Sequence, residues 1–395
     1  MIEKNALESG DGMVKQLLEK KEKKVEYVEL IYDLIFVYII GRNNSLLHHI
    51  TNGFVDPLSF VSYILCTLAV IQIWNFSTYY INIYGKHSVR EHVFLFLNMF
   101  LLYFIGEGTR SDWHAYHTMY HIAWALILVN IGVQYLCELR THRAQANRRQ
   151  IIRMTVILLC EALLAAAAIL EYELAHTSTL TLAAILFGMG AVLFFGQRSS
   201  AVFVDFAHLS ERAMLYVVFT FGEMVIAVSG YFSDDLSLNT LYFCAMGFLI
   251  VVGLFLSYGV FYDHIIDREQ NTNGLLYMLM HIFIIFALNN ITNSLEFMRD
   301  EAVSLMPKML FLIGSFVLFY LFLFLLGFYA KQRCRLRARF FLLTCGTGAL
   351  FVLLMLLFRE NMPVNIFVSA AFVFGEFGIV YYFGKHLDID ADTTH

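Results

Sequence analysis

The sequence carries few charges and almost no proline. Of its 395 residues, 15% are charged and three are proline, whereas 59% are hydrophobic and 38 are phenylalanine. Soluble globular chains carry about 25% charged residues, so this composition excludes an ordinary soluble domain. The mean hydropathy of +0.65 indicates an integral membrane protein instead.

Several motifs of catalysis and nucleotide binding are also missing. The chain has no GxxxxGK[ST], no GxGxxG that opens a strand–helix unit, no HExxH and no GxSxG. Their absence disfavours an ATP-driven pump and a hydrolase of the soluble type. The six cysteines form no CxxC pair and mostly fall in apolar runs, so disulfides and zinc sites are not expected. No cofactor is expected either.

Long apolar runs dominate what is present. With a window of about 19 residues, the sequence predicts an all-α polytopic membrane protein with about twelve transmembrane helices and short connections. The predicted helices lie near residues 28–48, 58–82, 92–107, 115–137, 152–171, 178–196, 211–231, 238–260, 274–293, 307–329, 339–358 and 363–384.

The distribution of Lys and Arg predicts the orientation. If alternate connections share a side, 22 of the 27 basic residues fall on the side that holds both termini. The positive-inside rule therefore predicts cytoplasmic termini. Residues 1–25 are expected to form a cytoplasmic polar segment that lacks the apolar core of a signal peptide, and residues 387–395 a cytoplasmic tail.

The two halves of the chain resemble each other weakly. LNMFLLYFIGEG (97–108) aligns with MHIFIIFALNNI (280–291), which places Glu107 opposite Asn290. The first and seventh spans each have an acid, Asp33 or Glu223, followed by an apolar run and a glycine. Two six-helix halves, 26–200 and 201–386, would form a parallel repeat about an axis along the membrane normal.

Two motifs carry a resemblance to a known family. The first span, VELIYDLIFVYII, resembles the first-span signature of the bacterial low-temperature-requirement protein A family. The matching residues are Val28, Glu29, Leu30, Asp33, Leu34, Phe36 and Val37. The second motif is a Glu-Arg pair followed by Gly-Glu, present here as Glu211, Arg212, Gly222 and Glu223.

The resemblance covers nearly the whole chain but implies no reaction, because the family is named for a growth phenotype. It implies a bacterial cytoplasmic membrane protein. One departure follows the second span, where family members often carry acids and this chain has Lys86 and His87. That difference puts a charge-based role of the first loop in doubt.

Acids within the predicted spans are the main site candidates, because a charge in the bilayer is costly and is kept facing protein or water. Asp33 and Glu223 are expected to form a protonatable pair if the halves are equivalent. Alternatively, Asp33 is a structural carboxylate that Arg212 or a backbone amide satisfies, and Glu223 is a neutral hydrogen-bonding group. The candidate substrate or proton site comprises Asp33, Glu223, Glu29, Arg212, Glu211, Glu107, Glu376 and Asn290.

Histidines cluster on the predicted fourth span. His114, His117 and His121 follow i, i+3, i+7 spacing and share a helix face. Such a face can bind a transition metal or sense pH. Its neighbours Trp113 and Tyr116 also describe an aromatic belt at the membrane interface, so a metal site is not the favoured interpretation.

The favoured function is a secondary transporter, proton-coupled through Asp33 and Glu223, of an unidentified small substrate. The alternatives are an intramembrane enzyme or lipid-handling protein that uses the embedded carboxylates, and an ion channel. An enzyme is the less favoured class because no paired nucleophile and base are found. The expected partners are membrane lipids and a small molecule or ion; no nucleic acid is expected, and a homodimer stays open.

Overall fold

The computed structural model describes residues 23–108, 113–141, 145–196, 204–233, 237–334 and 336–392, and these ranges contain twelve α-helices. The helices are α1 (Tyr27–Asn43), α2 (Pro57–Tyr84), α3 (Val89–Gly108), α4 (Trp113–Glu138), α5 (Gln145–Ala175), α6 (Thr179–Gly196), α7 (Phe206–Ser229), α8 (Leu238–Val260), α9 (Leu275–Arg299), α10 (Leu305–Leu325), α11 (Ala338–Leu357) and α12 (Met362–Asp392).

Ten of these helices are long and apolar enough to cross a membrane. The other two are α1 and α6. Helix α1 has 17 residues and carries Glu29, Asp33 and Arg42, and the apolar part of α6, Thr179–Phe194, is short. The protein is therefore a polytopic all-α membrane protein, and twelve complete spans stay a prediction.

Each predicted helix has an observed counterpart, but several ends differ. Helix α5 begins at Gln145 rather than near residue 152, and α12 continues to Asp392 rather than ending near 384. A hydropathy window detects only the apolar part of such helices. Helix α1 is shorter than predicted and continues as a 3-10 helix, Asn44–His48.

Local sequence explains several helix starts. Asp56 caps α2 by accepting hydrogen bonds from the backbone N–H groups of Leu58 at 3.1 Å and Ser59 at 3.2 Å, and Pro57 occupies the first helical position. A capping oxygen satisfies N–H groups that have no partner within the helix, and proline costs nothing at that position. Asp205 caps α7 through the N–H of His208 at 3.1 Å.

A small hairpin links α1 to α2. Strands β1 (Ile50–Thr51) and β2 (Phe54–Val55) pair antiparallel around Asn52 and Gly53. Both turn residues have positive φ, 53° and 81°, the conformation that a two-residue Asn-Gly turn provides. The Gly53 carbonyl accepts from the backbone N–H of Ser304 at 2.7 Å, so the hairpin contacts the start of α10.

The packing of the first six helices largely recurs in the last six. Helix α1 packs on α2 and α3 as α7 packs on α8 and α9, and the pairs α3–α4, α5–α6 and α2–α6 recur as α9–α10, α11–α12 and α8–α12. Helices α1 and α7 also pack on each other. Not every pair recurs: α4 packs closely on α5 and also packs on α2, whereas α10 touches α11 at few positions and α8 at fewer still or none.

Candidate functional site

Buried charged side chains near the starts of α1 and α7 join these two helices. Arg212 of α7 is fully buried; its Nε donates to Asp33 Oδ2 at 3.0 Å and its Nη2 donates to Asp33 Oδ1. The indole N–H of Trp74 in α2 donates to the same Oδ1 at 2.7 Å. Two parallel N–H···O bonds give the strong fork geometry of an Arg–carboxylate pair, so this pair fixes how α1 and α7 face each other.

Glu29 occupies the remaining side of the guanidinium. Arg212 Nη1 donates to Glu29 Oε2 at 2.6 Å, and His208 Nε2 lies 3.4 Å from that oxygen. His87 Nε2 lies 3.9 Å from Glu29 Oε1. Helical spacing explains the arrangement, because Glu29 and Asp33 are four residues apart, as are His208 and Arg212, and such pairs share a helix face. We call Glu29, Asp33, His208 and Arg212 the charge cluster.

The tautomer of His208 follows from its neighbours. Asn82 Nδ2 donates to the Asp205 carbonyl at 2.8 Å, and Asn82 Oδ1 accepts from the Asp205 N–H at 3.1 Å. This fixes the orientation of the amide, so Asn82 Nδ2 also donates to His208 Nδ1, at 3.0 Å. Since Nδ1 accepts, a neutral His208 carries its proton on Nε2, the nitrogen that faces Glu29.

A second layer of polar side chains extends from α1 into α3 and α4. The Tyr32 hydroxyl lies 2.8 Å from Ser77 Oγ and accepts from Asn98 Nδ2 at 3.3 Å. Asn98 Oδ1 in turn accepts from Asn130 Nδ2 at 2.7 Å. Because Tyr32 precedes Asp33 in α1, this chain of hydrogen bonds begins next to the charge cluster and extends to the neighbouring helices.

The charge cluster holds two carboxylates and one guanidinium, so it carries an excess negative charge when His208 is neutral. Burying such a charge costs several kcal/mol unless further partners compensate. A further cation that acts on Glu29 is Lys23, whose Nζ donates to the carbonyls of Ile81 and Gly85 at the end of α2. Burial lowers the pKa of Lys23 below its ordinary value, and the charge of Glu29 partly opposes this shift.

The structure does not bring Glu223 to Asp33, so the predicted pair is not formed. A β-carbon on Gly41 would lie 2.8 Å from Glu223 Oε1, and Gly41 is eight residues, about 12 Å, beyond Asp33 along α1. The charge of Glu223 acts instead on Glu296 of α9. The positions along the two helices explain this. Asp33 and Arg212 each lie six residues past the first residue of their helix, whereas Glu223 lies seventeen residues past the first residue of α7.

Gly222, which precedes Glu223 in α7, has open space around it, because a β-carbon there would meet nothing within 4 Å. Gly375 and Gly378, which flank Glu376, likewise have open space around them. These three glycines therefore do not mark close helix contacts in the described part of the chain.

A cluster of amides lies at the other end of α1 and includes the predicted Asn290. The Tyr63 hydroxyl donates to Asn290 Oδ1 at 2.5 Å and accepts from Asn289 Nδ2 at 2.9 Å. Asn44 Oδ1 accepts from Asn289 Nδ2 at 2.9 Å and from Asn293 Nδ2 at 3.0 Å. We call these five side chains the amide cluster; it joins α2 and the 3-10 helix after α1 to α9.

The remaining predicted acids lie elsewhere. Glu107 is half exposed and forms a 3.7 Å ion pair with Arg42 at the end of α3. The charge of Glu211 acts on the Tyr262 hydroxyl near the end of α8. Glu376 is buried and accepts from Thr347 Oγ1 of α11. These contacts lie outside the charge cluster, so the eight predicted residues form more than one site.

The histidine face of α4 is buried and internally bonded. His121 Nδ1 lies 2.9 Å from the His117 carbonyl oxygen and Nε2 lies 2.9 Å from Thr181 Oγ1, and His117 stacks on Tyr172 with ring centroids 3.9 Å apart. The side chain of His114 lies outside the described residues. Among the residues the structure describes, no group of three His, Cys, Asp or Glu could hold a metal ion.

Sequence reasoning missed three members of the site: His208, Trp74 and Asn82. A signal for His208 exists, because it precedes Arg212 by four residues and therefore shares its helix face. Trp74 and Asn82 lie in an apolar helix with no motif around them. Their roles depend on how α2 is rotated against α1, which the apolar pattern of a helix buried on most sides does not specify.

The comparisons with known proteins agree with the two sequence motifs. The family model described as bacterial low temperature requirement A protein (LtrA) matches residues 24–373, a range that includes the whole charge cluster and the amide cluster. No curated protein and no solved structure matches the chain. The chain belongs to the bacterial low temperature requirement A protein family.

Proposed function

We propose that the protein is a proton-coupled secondary transporter of the bacterial cytoplasmic membrane, with twelve spans and both termini cytoplasmic. The observation that carries the proposal is the charge cluster, in which Arg212 of α7 holds Glu29 and Asp33 of α1 away from water. Ionisable groups buried within membrane helices mark substrate, ion or proton pathways more often than they serve packing.

Two features support twelve spans. Helix α1 of 17 residues and the five-residue 3-10 helix after it together extend about 35 Å, enough for a hydrocarbon core of about 30 Å. The bias of Lys and Arg toward one side requires an even number of crossings between the termini. A topology of twelve alternating spans therefore satisfies both length and charge.

The recurring helix contacts support a parallel repeat of two six-helix halves. In such a repeat, α1 and α7 are equivalent helices that meet at the pseudo-symmetry axis, and Asp33 and Arg212 are equivalent positions at equal depth. Transporters built from repeats place their coupling sites at the interface between the halves. The charge cluster occupies that interface here.

The chemistry of the charge cluster suits proton coupling. A proton bound within the charge cluster cancels its excess negative charge, and the loss of that proton restores the charge. Since an uncompensated charge weakens the closed packing of α1 against α7, proton binding and release can bias which side of the membrane the interface opens to. Toward the other end of α1, Glu223 and Glu296 are two half-buried acids. They can pair with a positively charged solute as it enters, which favours a cationic substrate.

The competing classes fit less well. Both oxygens of Asp33 are engaged by Arg212 or Trp74, so this carboxylate is not free to act as a general base. A continuous channel would need a hydrated path, whereas the charge cluster is closed by its own ion pairs. A transporter tolerates such closure, because it opens to one side at a time.

Uptake into proteoliposomes tests the proposal. Purified protein is reconstituted, a pool of small amines, amino acids and other polar solutes is supplied under an imposed pH gradient, and the vesicle contents are analysed by mass spectrometry. We expect a solute to accumulate only in protein-containing vesicles, and a protonophore to abolish that accumulation. Asp33→Asn should lose uptake, whereas Glu360→Gln, whose side chain is 83% exposed, should keep it.

Two outcomes would contradict the proposal. If no solute in the pool accumulates beyond protein-free vesicles while the protein stays folded, transport of these classes is wrong. If a solute equilibrates without accumulating and the protonophore has no effect, the protein is a channel rather than a proton-coupled transporter.

A further inference from the structure

A large apolar cleft lies between α10, α11 and α12, away from the charge cluster. Its volume is about 660 Å³, and it opens at the surface of the helix bundle. The cleft exists because α10 and α11 barely touch, whereas the corresponding helices of the first half, α4 and α5, pack closely. The close packing of α4 on α5 closes the corresponding place in the first half.

The cleft is lined by aromatic and aliphatic side chains, with one acid at its wall. Its aromatic lining consists of Phe316, Tyr320, Phe324, Phe328, Phe341 and Phe372. The acid is Glu376, which is 1% exposed. Its Oε1 accepts from Thr347, whereas its Oε2 is buried without a hydrogen-bond partner among the described residues. A buried polar oxygen without a hydrogen-bond partner lowers the stability of the fold. A ligand that donates a hydrogen bond to Oε2 would remove this cost.

We propose that this cleft binds a lipophilic amine that enters from the lipid phase. The ammonium group donates to Glu376 Oε2, and the aliphatic part fills the space between the rings. Aromatic faces attract organic cations, and an ammonium–carboxylate pair carries no net charge, so it is tolerated at this depth in the membrane. An alcohol or an uncharged lipid tail would gain the apolar contacts but not the charge pairing.

The site is independent of the proposed transport function, since none of its residues belongs to the charge cluster. A substitution at Gly348 can reduce the volume of the cleft. This residue lines the cleft, and a β-carbon there would meet nothing within 4 Å. The β-carbon of Gly348→Leu therefore enters open space, the rest of the side chain occupies part of the cleft, and Leu is a better helix former than Gly. Glu376→Gln keeps the shape of the site and removes the carboxylate.

Saturable binding of radiolabelled dodecylamine to the full-length protein in lipid nanodiscs tests the proposal, with dodecanol as the uncharged probe and empty nanodiscs as the background. We expect dodecylamine to bind the unmodified protein at least about tenfold more tightly than dodecanol, a difference of about 1.4 kcal/mol. Glu376→Gln should remove that difference, and Gly348→Leu should remove saturable binding of both probes. Glu360→Gln should bind as the unmodified protein does.

Three results would overturn the proposal. Equal affinity for the two probes in the unmodified protein would make the cleft a site for apolar chains only. Unchanged amine affinity in Glu376→Gln would exclude the carboxylate as the recognition group. Unchanged binding in Gly348→Leu would place the amine outside the cleft. Thermal unfolding of each variant, measured in the same nanodiscs, shows whether a loss of binding comes from misfolding.

Discussion

Arg212 of α7 and Asp33 of α1 each lie six residues past the first residue of their helix. Their side chains meet in a buried fork, and Glu29 completes the contact from one turn away. This relationship ties the first half of the chain to the second half at a charged centre. Substitutions at these residues can therefore separate a structural role of the charge cluster from a role in transport.

Removing Arg212 should cost more stability than removing it together with Asp33. Arg212→Gln leaves two buried carboxylates without their cation and should lower the free energy of unfolding by about 3–5 kcal/mol. Asp33→Asn combined with Arg212→Gln keeps the net charge of the cluster and should recover at least half of that loss. Thermal unfolding in detergent, followed by tryptophan fluorescence, measures both. Additive losses in the double variant would contradict the charge-balance argument.

Gly188 should not tolerate a methyl group, whereas Gly190 should. A β-carbon on Gly188 would lie 2.0 Å from Glu161 Oε2 and 2.1 Å from Gln72 Nε2, two side chains that hydrogen-bond each other at 3.4 Å. Gly188→Ala should therefore destabilise the protein by about 1–3 kcal/mol. Gly190→Ala, in the same helix with nothing within 4 Å, is the matched control. Equal unfolding temperatures for the two variants would show that this packing is wrong.

The hydroxyl of Tyr63 should stabilise the amide cluster. Its hydroxyl donates to Asn290 and accepts from Asn289 and Asn293. Tyr63→Phe should cost about 1–3 kcal/mol, because it leaves buried amide groups without their partner. Tyr103→Phe provides the control, since Tyr103 is 60% exposed. A Tyr63→Phe protein as stable as that control would place the amide cluster in contact with water.

Lys23 should make stability depend on alkaline pH. Burial lowers its folded-state pKa below the ordinary 10.5, so between the two values the unfolded chain binds more protons than the folded one. Stability should therefore rise with pH in that window, by about 1.4 kcal/mol for each unit of pKa difference. Lys23→Gln should lack this rise, and the exposed Lys24→Gln should retain it. Unfolding temperatures between pH 8 and pH 10 measure the effect, and parallel curves for all three proteins would contradict it.

The fold was largely predictable from the sequence, because a bilayer permits few structures. Apolar runs such as 238–260 must form helices to satisfy their backbone, and that helix is observed within the predicted bounds. The polar extensions of α5 toward Gln145 and of α12 toward Asp392 were not predicted, since hydropathy carries no signal there. Capping residues such as Asp56 locate helix starts better than hydropathy does.

The site was predictable only in part. The sequence placed Glu29, Asp33 and Arg212 among the candidates, and it left open that Arg212 satisfies Asp33, which is what the structure shows. The predicted pairing of Asp33 with Glu223 was wrong. It matched two residues because both are acids, whereas the position of each residue relative to the start of its helix determines which side chains of α1 and α7 meet. Which side chains of α2 face α1 depends on helix rotation, and nothing in the sequence around Trp74 specifies it.

The central claim is that protons move with the substrate through the charge cluster. It is tested most directly by recording substrate uptake and luminal pH together in the same proteoliposomes, with no gradient imposed at the start. Uptake of the substrate down its own concentration gradient by the unmodified protein should shift the luminal pH, and Glu29→Gln should remove that pH shift.

Glu360→Gln should reproduce both signals of the unmodified protein, and the unfolding temperature of Glu29→Gln shows whether that variant is folded. Substrate uptake without any change in luminal pH, or a pH shift in folded Glu29→Gln as large as that of the unmodified protein, would contradict the account.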